Sequence, residues 1–176
     1  MIIDLRTIPE ETRISEVLKE EWWCPDGHED QVLGFETPLQ VDLKVSRVGD
    51  KYVLNGKISG GVQIRCDRCL EPFHWDLEST FNVYLALPPP GTGQTDVELL
   101  EEDMEVDFIR GEMIELDEIL REQIYLSLPI KCICVESCLG LCSVCGANLN
   151  EGYCRCERES GHPAFSKLKN LKIKGE

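Results

Sequence analysis

The spacing of the cysteines constrains this chain more than any other feature of its sequence. Seven of its ten cysteines fall between residues 132 and 156, in the stretch CICVESCLGLCSVCGANLNEGYCRC. Two of the other three, Cys66 and Cys69, form the pair in CDRC. Zinc prefers four tetrahedral ligands, and a C-x2-C turn directs two thiolates at one point. The pattern therefore predicts that these cysteines bind zinc.

The cysteines divide into two predicted zinc sites of four thiolates each. The pair in CSVCG and the later C-x-C pair lie in one short segment, and a chain reversal after Pro129 would bring two earlier cysteines to the CDRC turn. Cys132 is an alternative to Cys134, and other groupings are open; otherwise Cys132, like Cys24, is interpreted as an ordinary thiol. Site one is predicted to contain Cys66, Cys69, Cys134 and Cys138, and site two Cys142, Cys145, Cys154 and Cys156.

The same cysteines allow a competing enzymatic interpretation, a thiol-disulfide oxidoreductase that uses the CDRC pair. A redox pair of the thioredoxin type normally lies at a helix N-terminus, which lowers a thiol pKa, whereas this pair is predicted between two strands. Catalytic zinc keeps an open coordination position, and four thiolates leave none. The sequence also lacks the glycine-rich phosphate loop, the G-x-S-x-G motif and the H-E-x-x-H motif, and its three histidines are scattered. We therefore expect structural zinc, two ions in all, and no enzymatic activity.

Net charge limits the partners that this chain can bind. Its 176 residues include 33 acids and 18 bases, which gives a formal charge of −15. Such a surface repels a phosphate backbone and attracts basic partners. No apolar run approaches the length of a membrane helix, and MIIDLRTIPE has no basic region followed by an apolar run. We expect a cytoplasmic protein with no membrane partner, in a reducing compartment where cysteines serve as ligands or reactive thiols.

Hydrophobic periodicity predicts an α+β fold. LQVDLKVSRV, KYVLNGKISGGVQIRC and FHWDLESTFNVYLAL read as three or four strands of an antiparallel meander, with a turn at residues 49–50 and CDRC at another turn. IELDEILREQIYLSLP has helical spacing up to Pro129 and should cover the apolar face of the meander. ETRISEVLKEEWW also predicts a short helix, with Ile14, Val17 and Leu18 on one face.

The ends of the chain are assigned by composition. Residues 92–107 are acidic and predict an exposed connection, while HPAFSKLKNLKIKGE predicts a basic terminal helix that starts near Pro163. Trp22 and Trp23 are interpreted as core residues rather than as a partner-binding patch. The predicted division is an unassigned N-terminal segment, a meander with its helix, and a cysteine-rich zinc module with its terminal helix, at residues 1–35, 36–130 and 131–176.

From about residue 35 to its end the chain resembles the YceD family, bacterial and plastid proteins described as large ribosomal RNA subunit accumulation proteins. The resemblance rests on CDRCLEPF, the helix ending in LSLP, the cysteine-rich stretch and the terminal PAFSKLKNLK, in that order. It implies a non-enzymatic factor for 23S rRNA accumulation or processing and large-subunit biogenesis. Some members lack the C-terminal cysteines yet keep the C-x-R-C turn, which implies that the two cysteine groups are partly independent.

The implied RNA role and the acidic charge suggest two kinds of partner. In one interpretation the acidic body binds a ribosomal protein or assembly factor of the large subunit, and this is the one we favour. In the other, the terminal helix binds the 23S rRNA precursor through its lysines, Lys167, Lys169, Lys172 and Lys174. A zinc-containing regulatory module and a nuclease are further alternatives.

Overall fold

The part of the chain that the structure describes is mostly β-strand and contains one α-helix. The computed structural model describes residues 1–8, 10–25, 30–49, 51–87, 106–109 and 111–156. The elements are β1 (Ile2–Asp4), β2 (Glu11–Leu18), β3 (Val32–Phe35), β4 (Leu39–Val48), β5 (Lys51–Arg65), β6 (Pro72–Ala86), β7 (Val106–Phe108), β8 (Met113–Glu115) and α1 (Leu116–Leu126), with 3-10 turns at Leu5–Thr7 and Glu20–Trp22. This composition agrees with the predicted α+β class. No helix within these ranges is both long and apolar enough to cross a membrane.

The main sheet has the order β2-β4-β5-β6-β7, and β3 also pairs with β5. All pairs are antiparallel except β6 and β7, which are parallel. Among the described strands, only β4, β5 and β6 follow one another as a meander, so the sheet has more strands and a less simple order than predicted. The two longest strands, β5 and β6, pair along their whole lengths, and the CDRC turn joins them.

On the edge that faces away from β6, β5 changes its partner strand at Gly60. Its first part pairs with β4 up to Ser59, and its last part pairs with β3 from Val62. A side chain at Gly60 would lie 2.6 Å from the Leu39 side chain and 3.0 Å from the Pro38 carbonyl oxygen. Glycine is needed here because the start of β4 approaches the backbone of β5 so closely.

The helix α1 covers one face of the sheet. Its residues Leu116, Leu120 and Ile124 recur every four positions and are fully buried. They join the apolar side chains of the sheet strands in one core cluster. The opposite face carries polar side chains along β4, namely Gln40, Asp42 and Lys44, as is usual for an antiparallel sheet with one face in water.

The prediction of a helix for ETRISEVLKEEWW is wrong. Glu11–Leu18 is the strand β2, which pairs with β4 from Glu11↔Ser46 to Leu18↔Leu39, and only Glu20–Trp22 forms a 3-10 turn. The helical interpretation put Val17 on the same face as Leu18. In the strand these neighbours face opposite sides, with Val17 exposed and Leu18 buried. The apolar residues in this stretch were too few to distinguish the two periods.

An aromatic cluster ties the N-terminal segment to α1. Trp23 is buried and donates from Nε1 to the Val32 carbonyl oxygen at 3.0 Å. Its ring lies 5.5 Å from those of Phe35 and Tyr125, and the Arg121 guanidinium lies 4.4 Å above it. Buried side chains from the described part of this segment, Leu5, Leu18, Trp23, Val32 and Phe35, thus belong to the core of the sheet and helix, and the predicted three-part division stays a prediction.

Two predicted segments fall largely outside the described residues. Of the acidic connection at 92–107, only residues 106 and 107 are described, and they belong to β7. The predicted terminal helix and its lysines lie wholly outside the described ranges, as do Asp50 of one predicted turn and two of the histidines, His28 and His162.

Truncating Ile124 should destabilise the protein strongly. Ile124→Ala removes a fully buried side chain between helix and sheet, and we expect the free energy of unfolding to fall by about 2–5 kcal/mol. Urea denaturation followed by circular dichroism measures the change. Leu126→Ala is the control, because Leu126 is 68% exposed and its loss should matter by about 0.5 kcal/mol or less. Equal effects of the two variants would contradict the packing of α1.

His74 should titrate above its usual pKa. Its Nε2 contacts Asp76 at 3.0 Å and its Nδ1 contacts Glu36 at 2.6 Å, and these hydrogen bonds raise the pKa of the imidazole. Its stabilising contribution is therefore fully present below the usual pKa of 6.5 and is lost as pH rises through the higher folded pKa. NMR titration should show the raised pKa, and Asp76→Asn should lower it. Glu78 lies on the same face of β6 as His74, and in the control variant Glu78→Gln the pKa of His74 should stay nearly unchanged.

Candidate metal sites

The first cysteine cluster starts in the turn between β5 and β6. Cys66 follows β5, and its backbone N–H donates to the Glu71 carbonyl oxygen at 2.9 Å, while the Leu70 N–H donates to the Cys66 carbonyl oxygen at 2.9 Å. Leu70 has a φ of 62°, a left-handed conformation that is costly for leucine. The turn buries both of its thiols, with Cys66 0% and Cys69 3% exposed.

A reciprocal pair of hydrogen bonds brings the chain after α1 to this turn. The Asp67 backbone N–H donates to the Cys132 carbonyl oxygen at 2.8 Å, and the Cys132 N–H donates to Asp67 Oδ2 at 2.7 Å. Arg68 Nη1 then donates to the Cys138 carbonyl oxygen at 2.9 Å. The side chain of Cys132 points elsewhere, toward the Pro129 carbonyl oxygen at 3.5 Å, and packs in the hydrophobic core.

The four predicted residues of site one lie together in the structure. Their Sγ atoms are all within 4.8 Å of one another, with 3.9 Å between Cys66 and Cys138 and 3.8 Å between Cys69 and Cys134. Sulfurs around a tetrahedral metal at about 2.3 Å are about 3.8 Å apart, so the spacing suits such a metal. The alternative with Cys132 in place of Cys134 does not match this grouping.

All four cysteines of site two come from one short segment of the chain, residues 142–156. The Cys142 N–H donates to the Ala147 carbonyl oxygen and the Gly146 N–H to the Cys142 carbonyl oxygen, each at 2.8 Å. Gly146 has a φ of 73°, which explains the glycine after the second cysteine of CSVCG. The sulfurs within 4.8 Å of one another belong to Cys142, Cys145, Cys154 and Cys156. Both clusters can therefore hold a metal ion.

Each cluster contains a thiol whose pKa is lowered to about 6. Burial raises the pKa of Cys66, but donation from the backbone N–H groups of Cys134, Cys69 and Arg68 outweighs it and lowers that pKa to about 6. The backbone N–H groups of Cys145 and Val144 lower the pKa of Cys142 to about 6. A thiolate present near neutral pH provides a first ligand for a cation.

Other thiols in the clusters resist ionisation. Burial raises the pKa of Cys69 to about 12, and the neighbouring Cys145 raises the pKa of Cys156 to about 12. Crowded sulfurs cannot all carry charge unless a cation compensates them. Binding of a divalent metal would therefore release protons from these thiols.

The burial of Cys66 weighs against the oxidoreductase interpretation. Its pKa of about 6 would suit a nucleophile, but the thiol is 0% exposed, and reactive cysteines lie in partly exposed surroundings. Its sulfur also lies within 3.9 Å of Cys138, a residue that a two-cysteine redox motif does not need. Of the two other cysteines, Cys24 is exposed and Cys132 is buried outside both clusters.

Sequence reasoning missed the residues that support the clusters. Asp67 and Arg68 lie between the cysteines of CDRC, and Asn150 lies between the two cysteine pairs of site two. Asn150 Nδ2 donates to Cys138 Sγ at 3.3 Å and lowers the pKa of that thiol. The only signal in the sequence was a polar residue inside a ligand-rich segment, which does not reveal a partner twelve residues away.

Comparisons with known proteins connect this geometry to a family. The family model described as "Large ribosomal RNA subunit accumulation protein YceD" matches residues 54–172, which include both clusters. A relative from Arabidopsis thaliana, described as "Large ribosomal RNA subunit accumulation protein YCED homolog 1, chloroplastic", is 30% identical over 159 residues, which cover 77% of this chain and 49% of the relative. No solved structure matches the chain.

Other relatives are more distant or carry no functional description. An uncharacterized protein of Mycobacterium leprae is 29% identical over 137 residues, with 78% of this chain and 58% of that protein covered. A chloroplastic homolog 1 from Zea mays is 26% identical over 144 residues, with 69% of this chain and 49% of the relative covered. The chain spans about half the length of the curated relatives that it matches.

Removing one ligand of site one should release one metal ion and loosen a distant segment. The chain purified under reducing conditions should hold two metal ions, one for each cluster, and Cys69→Ser should hold about one. Hydrogen exchange should accelerate across residues 132–138, because the missing metal would otherwise join them to the CDRC turn. Plasma mass spectrometry counts the ions, and Cys24→Ser is the control. Faster exchange at residues 60–75 alone would contradict a shared site.

Proposed function

Because the chain belongs to the YceD family, we propose that it is a non-enzymatic, zinc-stabilised accessory factor for 23S rRNA accumulation or processing in large-subunit biogenesis. The observation that carries the proposal is the family match over residues 54–172, a range that contains all eight clustered cysteines. The Arabidopsis and maize relatives are described as large ribosomal RNA subunit accumulation proteins. The same work in this chain would need a stable binding surface rather than an active site.

Zinc is the metal that we assign to both clusters. Thiolate ligands in a tetrahedral arrangement select zinc or iron, and zinc is the usual ion where the ligands come in C-x2-C pairs. Four sulfurs complete the coordination and leave no position for a substrate, which favours a structural role. A colourless protein that contains zinc in plasma mass spectrometry supports this assignment, whereas visible absorption bands with bound iron contradict it.

A basic protein is the partner that we favour, and a groove beside α1 suits one. Its floor is apolar, with Leu85 and Ile114 buried and Ile109 and Ile119 partly buried. Its described lining has no lysine or arginine, and its rim carries four exposed acids, Asp107, Glu115, Glu118 and Glu122. A segment with lysines or arginines around an apolar side chain would complement both parts.

The helix explains how the acids and the apolar floor come together. Glu118 and Glu122 are four positions apart, so they line one side of α1 together with Ile119, and Glu115 immediately precedes the helix. Met113, which is 58% exposed, adds an apolar side chain at the edge of the groove. The formal charge of −15 would draw a basic partner toward this surface from a distance.

Direct binding of the 23S rRNA precursor is the second candidate. It is favoured by the terminal lysines, Lys167, Lys169, Lys172 and Lys174. These residues lie outside the described ranges, so the candidate rests on the sequence alone. A regulatory zinc module stays a further alternative. A cytoplasmic location also stays a prediction, since two of the relatives are described as chloroplastic.

Neutralising the rim of the groove should weaken binding of a basic partner. The double variant Glu118→Gln and Glu122→Gln should recover several-fold less of the basic large-subunit proteins in a tagged pull-down from cell extract, chiefly because association slows. Glu10→Gln with Glu16→Gln is the control, because it removes the same charge from exposed sites in the β2 region. Quantitative mass spectrometry measures the proteins, and sequencing measures the RNA.

The lysine variant separates the two candidate partners. Replacing the four terminal lysines by glutamine should leave recovery of basic proteins nearly unchanged. Loss of 23S precursor in that variant, with no effect of the two rim substitutions, would show that RNA is the direct partner. In that case, the salt dependence of RNA binding should flatten by roughly one unit for each phosphate that a lysine no longer neutralises.

A further inference from the structure

The two cysteine clusters are joined through the side chain of Asn150. This residue belongs to the loop of site two, between Cys145 and Cys154. Its Nδ2 donates to the sulfur of Cys138 in site one at 3.3 Å, and its Oδ1 accepts the backbone N–H of Leu139 at 2.7 Å. One amide thus binds both a metal-ligand sulfur and the backbone next to it.

The orientation of this amide is fixed by a second asparagine. Asn148 Oδ1 accepts from the Asn150 backbone N–H at 3.1 Å and from its Nδ2 at 2.9 Å. Turning the Asn150 amide over would place its oxygen against the Asn148 oxygen and against the sulfur. It would also place the amide nitrogen against the Leu139 N–H. Three hydrogen bonds therefore favour the orientation in which Nδ2 faces Cys138.

The backbone between the clusters is held from both sides. The Leu141 N–H donates to the Arg68 carbonyl oxygen at 3.0 Å, and the Leu149 N–H donates to the Gly140 carbonyl oxygen at 2.9 Å. Gly140 has a φ of 74°, and a side chain there would lie 2.9 Å from the Arg68 carbonyl oxygen. The connecting segment, residues 139–141, therefore lies between the CDRC turn and the loop of site two.

We propose that Asn150 is a positioning residue that couples the two metal sites, so that a metal at site two strengthens metal binding at site one. A ligand sulfur binds metal best when its hydrogen-bond donors are already in place. Asn150 is in place only when the loop of site two is closed, and a metal on its four cysteines closes that loop. By linkage, a metal at site one strengthens binding at site two equally. The inference rests on the proposed zinc binding.

The difference in exposure between the clusters sets the order of metal loss. Site one is mostly buried, with Cys66, Cys69 and Cys138 at 3% exposure or less. In site two, Cys145 is exposed. A chelator or alkylating reagent should therefore reach site two first, and the coupling should then transmit its opening to the buried site.

The test measures how fast each cysteine of the zinc-loaded full chain reacts. N-ethylmaleimide is added with a chelator, and mass spectrometry follows alkylation of every cysteine over time. Asn150→Ala should accelerate alkylation at site one by about 10-fold, the lower end of the usual effect of losing such a supporting residue on metal affinity. Asn150→Asp keeps the oxygen that accepts from Leu139 but loses the donor to Cys138, and it should do the same. Ser143→Ala, an exposed change in the same module, is the control and should leave the rate unchanged.

A second variant tests the coupling without touching Asn150. Cys145→Ser disables site two, and it should accelerate alkylation at Cys66 and Cys69 although neither is in that site. Hydrogen exchange in α1 checks that each variant is folded.

The outcomes separate this inference from the proposed function. If both Asn150 variants bind two zinc ions and their site-one cysteines are alkylated at the wild-type rate, the coupling is overturned and the zinc proposal stands. Acceleration confined to site two would overturn it as well. A wild-type chain that binds no zinc would remove the zinc proposal and this inference together.

Discussion

The continuous pairing of β5 with β6 is the constraint on which the rest of the structure depends. It presents the apolar face against which α1 packs, and it leaves the edge of β6 on which β7 pairs. At its far end it delivers the CDRC turn with both thiols buried, so the first cysteine cluster is attached directly to the sheet. The Asp67–Cys132 hydrogen bonds then fix where the second half of the chain meets that turn. The core, the groove and the first cysteine cluster are therefore positioned by one pair of strands.

The structure stabilises negative charge at both cysteine clusters with neutral hydrogen-bond donors. A zinc ion with four thiolates has a net charge of −2, so two such sites would add to an already acidic protein. The structure offsets this locally with backbone N–H groups at Cys66 and Cys142 and with the amide of Asn150 at Cys138. These donors are neutral, so they stabilise the thiolates without reducing the overall negative charge that would attract a basic partner.

The sequence was informative where one local rule applies over many residues. Alternation over ten or more residues predicted β4, β5 and β6, and the four-residue recurrence of Leu116, Leu120 and Ile124 predicted α1. Cysteine spacing and a chain reversal after α1 suggested the two groups of four whose sulfurs lie within 4.8 Å of one another, while the metal that they would bind stays a prediction. Hydrophobic periodicity failed for β2, because a few apolar residues satisfied both the helical and the strand period and pairing with β4 decided the outcome. The short strands β3, β7 and β8 owe their existence to neighbours distant in the sequence. The hydrogen bonds of Asp67 and Asn150 span 65 and 12 residues and follow no spacing rule.

Leu70 makes the CDRCL turn a poor candidate for transplantation as a free peptide. Its left-handed backbone costs roughly 1–2 kcal/mol for a residue with a side chain, and an isolated loop would meet that cost each time it closed around a metal. In the protein, β5 and β6 enter the turn from both sides and hold Leu70 in this conformation before any ion arrives. The sheet thus holds the first cysteine cluster in an arrangement that could accept a metal ion. A short mimic that lacked the two strands would adopt the same shape more readily with glycine in place of leucine.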